Sequence, residues 1–380
     1  MSDTTTIEDL QEAKDRCDEH VVICIEDISD MEALAQLIPE LKESCCAVTV
    51  VVDEQSEEPD YTTDEMIQFF RAIGDLPKLS SLELRNLGQD QSFPIGLAKT
   101  ALWRSRKSLK SLTFSNVTLK GDDDDLSEFH DTISHLNSLK KFTVNQLKIE
   151  ELDMIIGALP NCDIYERLSS LPSLPHLESF ALSVDPDLYF PVTEEELLNQ
   201  PDLVCSSSRT NVSTIFLSNL RVQRSTLNLV IMELKGNTTL KKLTLQLLAV
   251  EMSENDDARF NNLDGIANYI RHNTTLEYLS LSFDMYNPVV NAFLVKFAEA
   301  IKDNPDCSIQ ELEISGAYKP LELRVLKAFA EMIKINYTVR SLELMFFSDV
   351  FGERSHVGDT VDIIDFYVLL NKKGRGRLLT

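Results

Sequence analysis

One phrase is written twice in this chain, and it constrains the fold more than any other feature. Asn237-Thr-Thr-Leu240-x-x-Leu243-x-Leu245 recurs as Asn273-Thr-Thr-Leu276-x-x-Leu279-x-Leu281. A short segment that repeats with the same apolar spacing cannot bury its leucines alone; they find cover only against the neighbouring copy. A chain of 380 residues is also longer than the roughly 250–300 residues that one compact core usually holds. Repetition meets that limit, because a repeat array grows by adding turns rather than by thickening a core.

The template can be followed through most of the sequence by its first apolar position. It begins at Leu79, Leu109, Leu139, Leu177, Val212, Leu240, Leu276, Ile309 and Val339, at intervals of 30, 30, 38, 35, 28, 36, 33 and 30 residues. Each unit continues with apolar residues three and five places on, as in Leu79-x-x-Leu82-x-Leu84 and Val339-x-x-Leu342-x-Leu344. The mean interval of 32.5 leaves room for a helix in every turn. Residues 64–73, 126–136, 152–159, 227–234, 263–270, 293–301 and 323–333 place apolar side chains at helical spacing accordingly. Upstream, Val21–Ile25, Met31–Leu41 and Val48–Val52 read as strand, helix and strand, an atypical first turn.

Nine units in register resemble the leucine-rich-repeat superfamily, and the helix in each turn resembles its ribonuclease-inhibitor-like branch. The resemblance covers about residues 45–370 and implies an α/β solenoid, a horseshoe with parallel strands on a concave wall and helices on a convex one. One departure is plain. The asparagine expected eight places after the first leucine is replaced by Leu87, Val117, Leu147, Asp185, Leu220, Leu248, Asp284, Ala317 and Phe347, while Asn86, Asn116 and Asn219 lie one place early. The expected organisation is a lead-in and first turn over 1–60, the repeat array over 61–360 and a capping segment over 361–380. In that segment Ile364, Tyr367, Val368 and Asn371 share a helix face, and Gly374 stops the helix.

Charge and cysteine usage narrow the function classes. A net charge of −26 repels phosphate backbones, which disfavours nucleic acid, and would steer basic proteins inward if it does more than keep the chain soluble. No run of about 18 apolar residues exists to span a membrane. The acidic start, Met1-Ser-Asp-Thr-Thr-Thr, lacks the form of a signal peptide, so the cytoplasm, or the nucleus, is the expected compartment. Seven cysteines without a C-x-x-C pair read as reduced and mostly buried rather than as disulfides or a zinc site. Glycosylation-like triplets at Asn116, Asn211, Asn237, Asn273 and Asn336 read as repeat punctuation in a chain without that signal.

The search for catalytic chemistry is empty. No P-loop, G-x-S-x-G, H-E-x-x-H or calcium loop is present, and the six histidines are scattered. Gly121-Asp-Asp-Asp-Asp125 reads as a solvated turn before a helix rather than a cation loop, and Glu194–Glu196 as a helix start. No cofactor and no metal is expected. The basic Lys372, Lys373, Arg375 and Arg377 suit a helix C-terminus.

What remains is surface. Alternation along each strand turns the residues between the template leucines outward. Those candidates for protein binding are Glu83, Arg85, Lys141, Phe216, Lys242, Tyr278, Glu311, Glu313, Glu343 and Met345. Phe216 and Tyr278, large aromatics on a small polar wall, are either anchors for a partner or cover for the sheet. The segments 160–175 and 184–210 break the rhythm as rim loops, functional or merely drifted. The expected function is a non-enzymatic intracellular protein-protein recognition module or scaffold with a protein partner, a basic one being favoured by the acidic charge. The alternatives are an activating regulator of a small GTPase, for which Arg85 is not singled out by its context, and the substrate receptor of a ubiquitin ligase, for which residues 1–60 lack an adaptor-binding motif. Oligomeric state is left open.

Overall fold

The computed structural model describes residues 19–25, 31–41, 45–52, 64–85, 93–120, 123–150, 177–183, 212–221, 234, 237–248, 261–284, 288–316, 321–346 and 354–375. The expected helices over 152–159 and 227–233, the rim loops 160–175 and 184–210, and the lead-in before residue 19 lie outside the described residues. The chain divides into two compact units, Met1–Pro191 and Val192–Thr380.

In the first unit the elements are β1 (His20–Ile25), α1 (Met31–Leu37) with a 3-10 turn (Ile38–Leu41), β2 (Ala47–Val52), α2 (Asp64–Gly74) and β3 (Ser81–Arg85). They continue with β4 (Phe93–Pro94), α3 (Ile95–Ser105), β5 (Ser111–Lys120), α4 (Asp123–Ser134), β6 (Lys141–Glu150) and β7 (Ser179–Ser183). The strands pair in parallel in the order β1-β2-β3-β5-β6-β7, and β4 adds to the far half of β5. The second unit holds β8 (Thr214–Arg221), β9 (Lys242–Leu248), α5 (Asn261–His272), β10 (Tyr278–Asp284), α6 (Pro288–Asp303), β11 (Glu311–Gly316), α7 (Leu323–Ile335), β12 (Ser341–Phe346) and α8 (Arg354–Lys372). Its strands pair in parallel from β8 to β12 in sequence order.

Register aligns like with like. Leu82 pairs with Leu112 and that with Phe142; Leu243 pairs with Leu279, that with Leu312, and that with Leu342. Each leucine therefore stacks on its counterparts in the next turns, and Leu82, Leu112, Leu243, Leu279 and Leu312 are fully buried. At about 25 cal/mol per Å² of apolar area, such stacked rows are the main source of cohesion. Successive helices pack beside one another on the buried side, α2 on α3, α3 on α4, and α5 through α8 in order. Gly74 permits one close approach, since a Cβ there would meet the Ala101 carbonyl oxygen at 2.7 Å. The fold is an α/β leucine-rich-repeat solenoid.

Backbone polar groups between turns are satisfied by a device that replaces the missing asparagine ladder. The carbonyl just before β1, β2, β3, β5, β6, β8, β9, β10 and β11 accepts two amides from the following turn: for example, Lys110 and Ser111 donate to Ser80, Glu277 and Tyr278 to Lys241, and Arg340 and Ser341 to Gln310, all at 2.7–3.0 Å. Ser80, Ser138, Thr239 and Ser308 add hydroxyl bonds to carbonyls of the preceding turn. In the second unit three asparagines of the glycosylation-like triplets, Asn237, Asn273 and Asn336, cap the entry to a strand, while Asn211 lies outside the described residues. Asn237 Oδ1 accepts from the amides of Thr239 and Leu240, Asn273 Oδ1 from Thr275 and Leu276, and Asn336 Oδ1 from Thr338 and Val339. Asn304 and Asn371 reach backwards instead: Asn304 Nδ2 donates to the Ile270 and Asn273 carbonyls at 2.9 and 2.7 Å, and Asn371 Nδ2 to Asn336 and Val339 at 3.0 and 2.8 Å.

Three features were not read from the sequence: the short strand β4, helix α3 and the backbone of Asn116. Helix α3 is built largely on small side chains, Ala98, Ala101 and Ser105 beside Leu97 and Leu102, so its apolar period is faint. Asn116, one of the asparagines one place early, has φ 53, a left-handed conformation that asparagine tolerates better than most residues. It bends β5 where the two halves of its pairing with β6 meet, between Ser115 and Val117.

Removing the Asn304 amide takes a donor from two carbonyls of the preceding turn, of which Ile270 alone keeps another, from the Asn273 amide. Asn304→Ala is expected to lower stability by about 1–3 kcal/mol in urea unfolding; a change within about 0.5 kcal/mol would refute the backward ladder as a structural tie. Cysteine reactivity supplies a second check. Burial pushes the Cys45 thiol up to about 11, and burial also raises Cys307. Brief alkylation of the folded protein at pH 8 followed by peptide mapping is expected to modify half-buried Cys46 well before Cys45 or Cys307.

Candidate protein-binding face

Each sheet has a helix-covered side and an open side, and every residue proposed from the sequence for binding sits on the open side of its own unit. In the first unit Glu83 and Arg85 project from β3. Arg85 donates through Nε and Nη2 to Glu83 Oε1 at 2.9 and 2.7 Å, so the two form one closed ion pair. The chain of polar contacts runs on to residues the repeat template does not cover. Thr49 Oγ1 donates to Glu83 Oε2 at 3.4 Å, and the His20 ring Nε2 lies 3.0 Å from the same hydroxyl. His20 and Thr49 belong to the atypical first turn, whose strands carry valine and isoleucine in place of leucine; only the alternation His20-Val-Val-Ile-Cys-Ile could have pointed to them. Exposed Lys141 stands two strands from β3, in the row of Ser81 and Ser111.

In the second unit the outward residues form rows across the sheet. One runs Thr214, Lys242, Tyr278, Glu311, Ser341; the next runs Phe216, Thr244, Ser280, Glu313, Glu343; a third joins Gln246, Ser282, Ser315 and Met345. Neighbouring strands lie about 4.8 Å apart, and alternate residues of one strand about 7 Å apart. Register thus brings Glu313 beside Glu343, with Glu311 next along β11, so three carboxylates share one corner. Met345 borders them at 52% exposure. At the other edge Phe216 is 39% exposed on β8, next to Thr244 and diagonal to exposed Lys242. The second-unit face therefore passes from an aromatic and a cation on β8–β9 to an acidic corner on β11–β12.

Tyr278 links these parts and is less free than its neighbours. Its hydroxyl donates to Glu313 Oε2 at 2.6 Å, one strand away and diagonal in register. Partial burial raises its pKa above the ordinary 10.0, and the bond to the Glu313 carboxylate raises it further, partly offset by the Ser280 and Thr244 hydroxyls. At neutral pH the hydroxyl is a fixed donor that orients Glu313. Among the described residues no three His, Cys, Asp or Glu side chains converge as a metal would require, and no helix is long and apolar enough to cross a membrane.

No protein-family model and no curated protein matches the sequence. Among solved structures the chain is similar to TLR13 in its complex with ssRNA13, at 15% identity and a TM-score of 0.38, over 88% of this chain and 37% of that one. It is similar also to the internalin InlF of Listeria monocytogenes, at 10% identity and a TM-score of 0.33, over 90% of this chain and 84% of that one. The chain thus spans little more than a third of the length of the TLR13 chain. Likenesses this distant do not speak to what this chain binds.

Tyr278→Phe is expected to lower stability by about 0.5–1 kcal/mol at neutral pH, the lower range for a solvent-screened bond. A tyrosine whose folded pKa is raised contributes stability fully below its unfolded value and loses it as pH climbs toward the folded one. The difference between wild type and Tyr278→Phe should therefore shrink above pH 10; a difference that instead grows there would show the hydroxyl is not held as a donor.

Proposed function

We propose that this chain is a non-enzymatic protein-recognition module of the ribonuclease-inhibitor-like kind, and that the open face of its second unit takes a basic segment of another protein. The observation that carries this reading is the corner formed by Glu311, Glu313 and Glu343 with Met345 at its border. Three carboxylates held side by side by strand register repel one another, and a lysine or arginine placed among them relieves that repulsion. Met345 and Phe216 supply apolar contact, and Met is a pliant surface for a chain of variable shape. Lys242 and Tyr278 lie between them. In the first unit Glu83, Arg85 and Lys141 offer a second, mixed-charge contact.

The branch assignment is supported by the helix between most successive described strands. The intracellular assignment is supported by Cys45, Cys46 and Cys307, which carry reduced thiols. Arg85 is tied to Glu83 by two hydrogen bonds rather than presented outward as a finger for a nucleotide. A recognition module is favoured over a GTPase regulator on that ground.

The test compares affinity purification from native cells with the wild type and with a Glu311→Lys, Glu343→Lys double variant of unchanged melting temperature. Partners with lysine- or arginine-rich segments are expected with the wild type and should fall at least about tenfold with the variant. Equal recovery by both proteins would sink the acidic corner as the binding site.

A further inference from the structure

This acidic chain carries one rim of the opposite sign. In the first unit the connections that lead from helix to strand are residues 75–80 between α2 and β3, 103–110 from the last turn of α3 to β5, and 135–141 from α4 into β6. Together they hold seven lysines and arginines against one acid, Asp75, in a chain whose totals are 36 against 62. Compensation of the helix macrodipole does not account for the excess, because that effect fades beyond the last turn of a helix. Helix α4 has no basic residue in its last turn, yet Lys140 and Lys141 stand at the entry to β6, and Lys110 stands at the entry to β5.

Hydrogen bonds hold the three connections side by side. The Lys110 amide donates to the Ser80 carbonyl at 2.7 Å, the Lys140 and Lys141 amides donate to the Lys110 carbonyl at 2.8 and 2.9 Å, and Ser138 Oγ donates to the Lys107 carbonyl at 2.8 Å. Trp103, the only tryptophan of the chain, lies at the helix end of this rim and is 43% exposed. The Arg106 guanidinium sits over its ring, 4.3 Å from the centroid, and the His135 ring meets it edge-on at 5.8 Å. A large ring is thus held at the surface among the cations.

We propose that this rim takes a short acidic segment of another protein, one in which an apolar side chain interrupts a run of Asp and Glu. The cations already take carboxylates of their own chain: Arg104 Nη1 donates to both Asp75 carboxylate oxygens at 2.6 Å, and Lys140 Nζ donates to Glu178 Oε1 at 2.7 Å. Lys107, Lys110 and Lys141 are exposed and enter no ion pair among the described residues. They are left for carboxylates brought from outside, and Trp103 for the apolar residue between those carboxylates. Nucleic acid and lipid headgroups suit the rim less. Both present phosphate, which arginine forks grip best, and both arginines here are engaged, Arg104 on Asp75 and Arg106 on the Trp103 ring and carbonyl. Both also extend beyond the patch, where a chain of net charge −26 repels them; a short peptide ends where the cations do. The rim lies in the other unit from the acidic corner, and its assignment does not rest on the function proposed above.

The single tryptophan gives the test its readout. A peptide of about 12 residues, Asp and Glu around one central leucine, is titrated into the full chain at about 50 mM salt while tryptophan emission is followed. A saturable change is expected, with a Kd of about 10–100 μM that weakens at least about fivefold at about 300 mM salt. Replacing the central leucine of the peptide by serine should weaken binding at least about threefold. A Lys107→Glu, Lys110→Glu double variant of unchanged melting temperature is expected to bind at least about tenfold more weakly, and Lys107→Gln, Lys110→Gln serves in its place if the charge reversal unfolds the chain. Trp103→Ala, followed by calorimetry, should weaken binding as well. No binding by emission or calorimetry up to about 1 mM peptide, equal binding by wild type and the lysine variant, or equal binding of the leucine and serine peptides overturns the proposal. Tighter binding of polyuridylate of matched charge, or of vesicles of phosphatidylcholine and phosphatidylserine, overturns it too, since the rim would then be a phosphate site.

Discussion

Everything in this structure depends on lateral stacking of one turn on the next. The template leucines are separated by about 30 residues in sequence but pair in register in space, as Leu243, Leu279 and Leu312 do. None could be buried by its own turn. The carbonyl before nine of the described strands receives two amides from the following turn and ties the backbone where the strand begins. A one-residue slip of a strand would turn its leucines to the open side and its polar residues inward, so apolar burial and backbone bonding enforce the same register.

That rigid register is also what gives the open faces their chemistry. Glu311 and Glu343 belong to different turns, and nothing local brings them together; the alignment of β11 with β12 does. Tyr278 and Glu313 meet diagonally across β10 and β11 for the same reason. A surface built this way is set before any partner arrives, which limits the ordering that binding must still impose.

Exposed ends are the weak point of any stacked architecture. Within the second unit Leu342 and Leu344 of β12 occupy template positions but are only half-buried, whereas Leu312 and Ile314 of β11 are fully buried. Helix α8 covers part of that side. In the first unit the corresponding interest lies in the His20–Thr49–Glu83–Arg85 contacts, which run across β1, β2 and β3 and knit the atypical first turn to the regular ones.

The sequence by itself determined the fold class, the described strands other than β4 and the residues on each open face, because a period of two within strands and of about 30 between them survives without knowledge of contacts. It missed α3, whose alanines pack as well as leucines but barely mark a helical period. It marked the triplet asparagines as punctuation, and for Asn237, Asn273 and Asn336 the hydrogen bonds show why, each Oδ1 holding the amides that open a strand; Asn116 lies within β5 instead. Only the tertiary structure decided that Arg85 is closed on Glu83 and that the Tyr278 hydroxyl orients Glu313. Those facts depend on which side chains meet across turns, and a pattern read along one chain carries periodicity but not partners.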